Sequence, residues 1–247
     1  GADELFYGYG PIVRAIDLFD RSLHGRPADV RTSAAFYLRL TAWVHPVRKS
    51  TILQPTYHEL ALHDSGLEAW VTETFGEIAA EEPALIAQHA AMHRRVNLTG
   101  LLARLDAATM LASVEARVPY TDIEVARLAS TVQPRAHYRL AAAQQAQVGA
   151  SASHGSAVGE PIETKRLLRA AFADDVPPYV LHRGKQSFPL PFSGWLGDQV
   201  DVCRRSPAAR EVFTPDVLRD VIACPASEWM TAWPVLNLAL WLHQQYD

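Results

Sequence analysis

The sequence predicts a mainly α fold, and three observations carry the prediction. Apolar residues recur at three- and four-residue spacing in several stretches of the 247 residues. No run alternates cleanly between apolar and polar, and no Asn-Gly or Asp-Gly pair offers a tight hairpin turn. The composition, 49% hydrophobic and 20% charged, is that of a folded globular chain, so the helical faces have enough apolar material to build a core.

Each element can be argued in turn. Residues 35–43 carry Phe36, Leu38, Leu40 and Trp43 at mixed helical spacing. Residues 67–79 repeat Leu67, Trp70, Val71, Phe75 and Ile78, which predicts one buried helical face. Pro83 suits a first helical turn, and the Ala/Leu-rich stretch from there to Ala112 reads as two helices meeting near residues 97–100. Thr121 and Asp122 supply a helix start before residues 123–128. Residues 165–173 and 231–246 read as two further helices, and Thr214 followed by Pro215 is a cap-then-proline start for residues 214–222. No repeat of solenoid length occurs.

Residues 141–159 differ from the rest. They are rich in Ala, Gln, Ser and Gly, and His154 is their one ionisable side chain. So little apolar bulk does not offset the cost of ordering a backbone, which predicts a flexible surface insertion. Its place just before Lys165 leaves open the sharper alternative of a lid that orders over a ligand.

Charge and cysteine content exclude several functions. The 23 Lys and Arg against 27 Asp and Glu leave a formal net charge of −4, no footprint for nonspecific binding to nucleic acid or an anionic membrane. No apolar run is long enough to cross a bilayer. Two cysteines, Cys203 and Cys224, rule out a disulfide framework and an all-cysteine zinc site, and a reducing, cytoplasmic setting is the simplest expectation. The sequence starts at Gly1 with neither an initiator methionine nor signal-peptide character, and it reads as a piece of a longer polypeptide.

Four stretches carry candidate chemistry. Gly1-Ala2-Asp3-Glu4-Leu5-Phe6-Tyr7-Gly8-Tyr9 sets two carboxylates beside small residues. A carboxylate there can hold magnesium, which takes one or two protein oxygens plus phosphate oxygens; equally, Asp3 and Glu4 can be first-turn acids that favour a helix dipole. Arg104–Met110 and the following Glu115–Asp122 place Asp106, Glu115 and Arg117 on a helix expected to be buried and on its exit. Buried charges need partners, so a structural Glu115–Arg117 network is expected, with Asp106 evenly balanced between structure and function. Lys165, Arg166 and Arg169 open a helix whose dipole they oppose, which an anion would relieve, although a solvated basic face has the same pattern. Finally, Arg183-Gly184-Lys185 is a basic loop suited to phosphate, or simply a charged loop.

Taken together and in order, these stretches resemble the asparagine synthetase family in its C-terminal synthetase domain. Gly1–Tyr9 looks like the end of the family's Gly-Glu-Gly-Ala-Asp-Glu-Leu-Phe-x-Gly-Tyr motif, and Arg104–Met110 like its Val-Asp-Arg-Ala-Ser-Met helix. Glu115–Asp122 is similar to Glu-x-Arg-Val-Pro-Phe-Leu-Asp, Lys165–Arg169 to Lys-x-x-Leu-Arg, and Arg183–Pro191 to Arg-x-Lys-x-x-Phe-x-x-Pro. The two lysines stand twenty residues apart, as in family members that include β-lactam synthetases.

The resemblance implies that residues 1–247 are the largely helical C-terminal portion of an α/β N-type ATP pyrophosphatase domain. It implies ATP and Mg2+ as cofactors, and amide formation through an acyl-adenylate with glutamine or ammonia as amine source. By the same match Asp3 would hold magnesium and pyrophosphate, Lys185 would stabilise charge at the reacting centre, and Lys165 would contact the phosphates. Glu4 and Asp106 would line the substrate site. The implied partners are a small-molecule acid, an amine donor, and the remainder of the polypeptide with the Ser-Gly-Gly-x-Asp-Ser pyrophosphate loop, which these residues lack; a homodimer is a further expectation. Departures also occur: Gly184 stands where the family has Pro, Lys or Gln, and Ala107 where it has Arg. Intramolecular ring closure, of the β-lactam synthetase or lasso-peptide cyclase kind, is the alternative within this chemistry. A helical binding module that kept the fold without catalysis is the alternative outside it.

Overall fold

The computed structural model describes residues 1–62, 65–140, 162–185 and 191–247. It is helical as expected: among the described residues, extended backbone pairs only at two isolated bridges, Leu53 with Phe213 and Arg139 with Glu163. The insertion expected at residues 141–159 lies outside the described residues, as do residues 186–190 of the second lysine motif. No described helix is long and apolar enough to cross a membrane. Two compact units form, one from Gly1–Leu40 with Ala69–Lys185 and one from Thr41–Glu68 with Gln186–Asp247.

The first unit begins with the short helix Ala2–Leu5. Tyr7 then takes a left-handed φ of 57°, and the chain turns into the helix Gly10–Ser22, which has proline in its first turn. Val13 and Ile16 of that helix pack with Ile86 and Ala90 of the helix Leu85–His93, joined by Tyr7, Leu40 and Tyr138. A neighbouring cluster joins Ala34 and Tyr37 from the helix Val30–Thr41, Met92, and Val71, Phe75 and Ile78 from the helix Ser65–Glu81. Of the face predicted at residues 67–79, Val71, Phe75 and Ile78 are buried as expected, whereas Leu67 and Trp70 are exposed.

A third cluster fixes the site. Leu5, Phe6 and Ala129 are buried together, and Leu167 and Leu168 of the helix Arg166–Ala171 pack against them. This contact draws the start of the Arg166–Ala171 helix onto the N-terminal turn. The Arg139–Glu163 bridge secures the chain just upstream of it, with Arg139 N donating to Glu163 O at 2.8 Å and the reverse bond at 3.0 Å.

Two expectations change here. The junction foreseen near residues 97–100 exists, but the chain stays helical through it: Leu85–His93 passes into a π turn at Arg94–Leu98 and on into the helix Thr99–Met110. That last helix was expected to be buried, yet it buries no residue, and Leu101, Leu105 and Met110 are exposed. Glu115 and Arg117 do pair, at 2.6 Å, but on the surface rather than in a core. Periodicity reveals that a helix has an apolar face; it does not reveal what covers that face.

The second unit is built on the helices Phe192–Arg205, Pro207–Val212, Pro215–Ala223 and Trp229–Tyr246. Leu196, Cys203, Phe213, Val221, Val235, Leu236 and Ala239 form its core. The cap-then-proline start is present at Thr214, whose hydroxyl accepts from Val217 N at 3.4 Å and donates to Thr51 O at 2.8 Å. Gln54 N donates to Val212 O and Thr214 N to Ile52 O, both at 2.9 Å, tying the two segments of this unit together.

Candidate active site

The site grows from the turn at residues 1–9. Asp3 and Glu4 lie in the single-turn helix Ala2–Leu5, as first-turn acids should. After Tyr7 the chain doubles back, and Gly8 N donates to Asp3 O at 2.8 Å. No other residue fits at Gly8. A Cβ there would collide with the Asp3 carboxylate, fall 2.8 Å from Asp3 Cα and lie 2.5 Å from Lys165 Cε.

Both lysines reach the Asp3 carboxylate. Lys165 Nζ lies 2.6 Å from Oδ1 and Lys185 Nζ lies 2.5 Å from Oδ2. Lys185 also stands 4.9 Å from the centre of the Tyr9 ring, a cation over an aromatic face. Each lysine is placed by its own local device. Lys165 has a left-handed φ of 55° at the start of the Arg166–Ala171 helix, a strained conformation for a side-chain-bearing residue of the kind found at functional sites. Lys185 follows the segment that Arg169 braces: Arg169 Nε donates to Thr164 O at 3.0 Å and its Nη2 donates to Arg183 O at 3.2 Å. Arg169 thus joins the residue before Lys165 to the loop that carries Lys185.

Electrostatics favour an anion at this place. Burial pushes the Asp3 carboxyl upward, but hydrogen bonds and charge from Lys165 and Lys185 outweigh it and hold the group below the ordinary carboxylate value. One carboxylate against two ammonium groups leaves an excess of positive charge. The three side chains are only partly buried, at 21% exposure for Asp3, 28% for Lys165 and 35% for Lys185, so a ligand can reach them.

Glu4 points the other way, into the protein. It is 4% exposed, and the Tyr9 hydroxyl donates to its Oε1 at 2.5 Å. Burial raises the Glu4 carboxyl, yet the Tyr9 bond helps to bring it below the usual range. Burial and the Glu4 charge push the Tyr9 hydroxyl upward, so it stays protonated and remains a donor. Glu4, Tyr7, Tyr9, Ile12, Val13, Ile16, Ile86, Ala90 and His93 surround a small cavity behind Asp3.

Of the sequence-derived candidates, Asp3, Lys165 and Lys185 meet at one point and Glu4 adjoins them. Asp106 does not join them. It is exposed on the helix Thr99–Met110, and its carboxylate has no hydrogen-bond or ion-pair partner among the described residues. The turn at Gly8 was legible from small residues and Gly-Tyr beside the carboxylates, but two contributors went unread: Tyr9 as the partner of both Glu4 and Lys185, and Arg169 as the brace. The position of Arg169 one helical turn after Lys165 was the signal for the last of these.

The donor set also bears on a metal. No group of three or more His, Cys, Asp or Glu side chains among the described residues could hold an ion by itself. A single carboxylate beside two ammonium groups fits magnesium bound jointly by protein and phosphate oxygens, the ion's usual mode at nucleotides, once an anion draws a lysine off one Asp3 oxygen.

The family described as asparagine synthase matches residues 1–243. Proteins of Mycobacterium bovis and Mycobacterium tuberculosis that bear the name asparagine synthetase (glutamine-hydrolyzing) are 30% identical over 216 residues, 79% of this chain. The chain spans 29% of the length of these relatives. No solved structure matches it.

Proposed function

Because the chain belongs to the asparagine synthase family, we propose that it carries the lysine- and carboxylate-bearing part of the site of an ATP-dependent carbon–nitrogen ligase. The observation that carries this reading is the convergence of Lys165 and Lys185 on Asp3, although Asp3 and Lys185 are 182 residues apart in sequence. A structural ion pair needs one cation; gathering two around one carboxylate creates a place for a polyanion.

The reaction suits these groups. A substrate carboxylate oxygen attacks the α-phosphorus of ATP, the bond from that phosphorus to the β-phosphate oxygen breaks, and pyrophosphate leaves. An amine then attacks the acyl carbon of the adenylate, loses a proton, and AMP departs with the electrons of the acyl–oxygen bond. Charge builds first on pyrophosphate and then on the tetrahedral oxyanion, and prearranged ammonium groups lower both barriers. Lys165 holds the phosphates and Lys185 meets the charge at the reacting centre, while Glu4, buried and bonded to Tyr9, backs the Asp3 turn from within rather than facing the ligand. Asp3 would ligate magnesium, which supplies further neutralisation of the phosphate oxygens when bound. The pyrophosphate loop that cradles the nucleotide belongs, in this reading, to a further segment of the same polypeptide.

The test is product analysis. The intact polypeptide, given ATP, Mg2+, ammonia and a panel of acids beginning with aspartate, should yield AMP and pyrophosphate by phosphorus NMR, and only when an acid is present. Release of ADP and phosphate, or no dependence on any acid, would contradict the reading. A product lacking added amine would instead identify ring closure.

A further inference from the structure

Lys185 is anchored by less than Lys165 is. Around Lys165, Arg139 and Glu163 bond backbone to backbone, Thr164 is buried, and Leu167 and Leu168 pack with Leu5 and Phe6. Residues 182–185 follow the one-turn helix Pro178–Leu181 and bond mainly to it: His182 N donates to Pro178 O at 3.0 Å and Arg183 N to Val180 O at 3.3 Å. Arg183 and Gly184 are exposed. Packing does not hold the segment at Gly184, where a Cβ would meet nothing within 4 Å. Among the described residues, one hydrogen bond ties the backbone of 182–185 to the rest of its unit beyond that helix, from Arg169 Nη2 to Arg183 O at 3.2 Å.

Arg169 is itself firmly seated. Its backbone N donates to Lys165 O at 2.9 Å, and its Nε donates to Thr164 O at 3.0 Å. Its side-chain hydrogen bonds among the described residues go to these two carbonyls rather than to a carboxylate. A guanidinium suits the task. Its N–H groups lie in one rigid plane, so acceptors from two segments are held at a fixed separation. A charged donor also makes the stronger kind of hydrogen bond.

The link matters most when the site fills. Lys185 meets its unit through Asp3 and the Tyr9 ring. In the proposed reaction a phosphate draws the ammonium away from Asp3, and that contact is lost. The bond from Arg169 to Arg183 O involves neither Asp3 nor the Lys185 side chain, so it persists. We propose that Arg169 is a positioning residue for Lys185: it tethers Arg183 O, so that Lys185 stays within reach of the reacting centre after leaving Asp3. Lys165, with its separate anchors, depends on Arg169 far less.

The inference rests on the ligase reading, and two measurements on the intact polypeptide separate them. The first needs no turnover. The carbonyl that Arg169 holds belongs to the Arg183–Gly184 bond, a trypsin site. Brief trypsin treatment followed by mass spectrometry should show this bond cut about fivefold or more faster in Arg169→Ala than in wild type, with cleavage after the exposed Arg117 unchanged. The second is kinetic. Arg169→Ala should lower kcat for acid-dependent pyrophosphate exchange about tenfold, with KM for ATP nearly unchanged. In a Lys185→Ala background the same substitution should cost less than about twofold, because the residue acts through Lys185. Arg169→Lys keeps the charge without the fork and should stay nearer the Ala variant than the wild type. Unchanged cleavage after Arg183, an unaffected kcat, an equal loss in both backgrounds, or full recovery by Lys would overturn the proposal. If Arg169→Ala does not fold, Arg169→Lys carries both measurements. Faster cleavage in a protein inert toward ATP would refute the ligase reading and leave the tether standing.

Discussion

Gly8 shows how one missing methyl group sets the geometry of the site. The turn that brings Lys165 onto Asp3 leaves no space for a Cβ. Gly8→Ala is expected to cost about 1–3 kcal/mol in urea unfolding and to depress activity further by displacing the Asp3 carboxylate. Gly184→Ala is the matching control: a Cβ at that position meets nothing within 4 Å, and the variant should behave as wild type. His89 makes a different residue-level prediction. It is fully buried, neither ring nitrogen has a hydrogen-bond partner, and desolvation drives its pKa from the ordinary 6.5 to about 3. The unfolded chain therefore binds a proton that the folded one refuses. The stability this confers is complete above pH 6.5 and drains away as pH falls from there toward 3. Between pH 7 and pH 5 the loss from His89 should be on the order of 2 kcal/mol. His89→Leu should flatten that dependence while changing stability at pH 7 little, since it removes two unsatisfied nitrogens along with some ring packing. A steeper acid slope in the variant would contradict this.

Helix starts were the elements that sequence disclosed best, because a cap is a local device. Asp122 accepts from Glu124 N at 2.9 Å and Thr214 from Val217 N, each where a capping residue precedes a helix in the sequence. The same pattern at Ser206 and Pro207 opens the helix Pro207–Val212, where the fully buried Ser206 hydroxyl accepts from Ala209 N at 3.0 Å. Ser206→Ala should cost about 1 kcal/mol by urea titration, within the usual range for a lost cap; no loss would mean that another group satisfies Ala209 N. The helices Gly10–Ser22 and Phe192–Arg205 escaped notice. The first begins with Gly10 and Pro11, and the second is interrupted by Gly194 and Gly197, so glycine and proline mask their periodicity. The helix Thr99–Met110 erred in the opposite sense. Its apolar face was legible and its exposure was not, because burial is a property of what lies opposite.

Across the whole molecule, the helical class follows from spacing, while the assembly of the site does not. Nothing local in the sequence joins residue 3 to residues 165 and 185. Only the order of the motifs, through family resemblance, did so, and the packing of Leu167 and Leu168 on Leu5 and Phe6 gives the physical reason. Contacts that no motif encodes, from Tyr9 to Glu4 and from Arg169 to the Lys185 loop, emerge only when the chain is folded. The account stands on Lys185 as a working charge rather than a tether for Asp3. The most direct measurement is acid-dependent exchange of labelled pyrophosphate into ATP by the intact polypeptide carrying Lys185→Ala, with its melting temperature recorded alongside. The account predicts a fall of about 100-fold or more at a nearly unchanged melting temperature, the scale of losing a group that stabilises transition-state charge; exchange at the wild-type rate would contradict it.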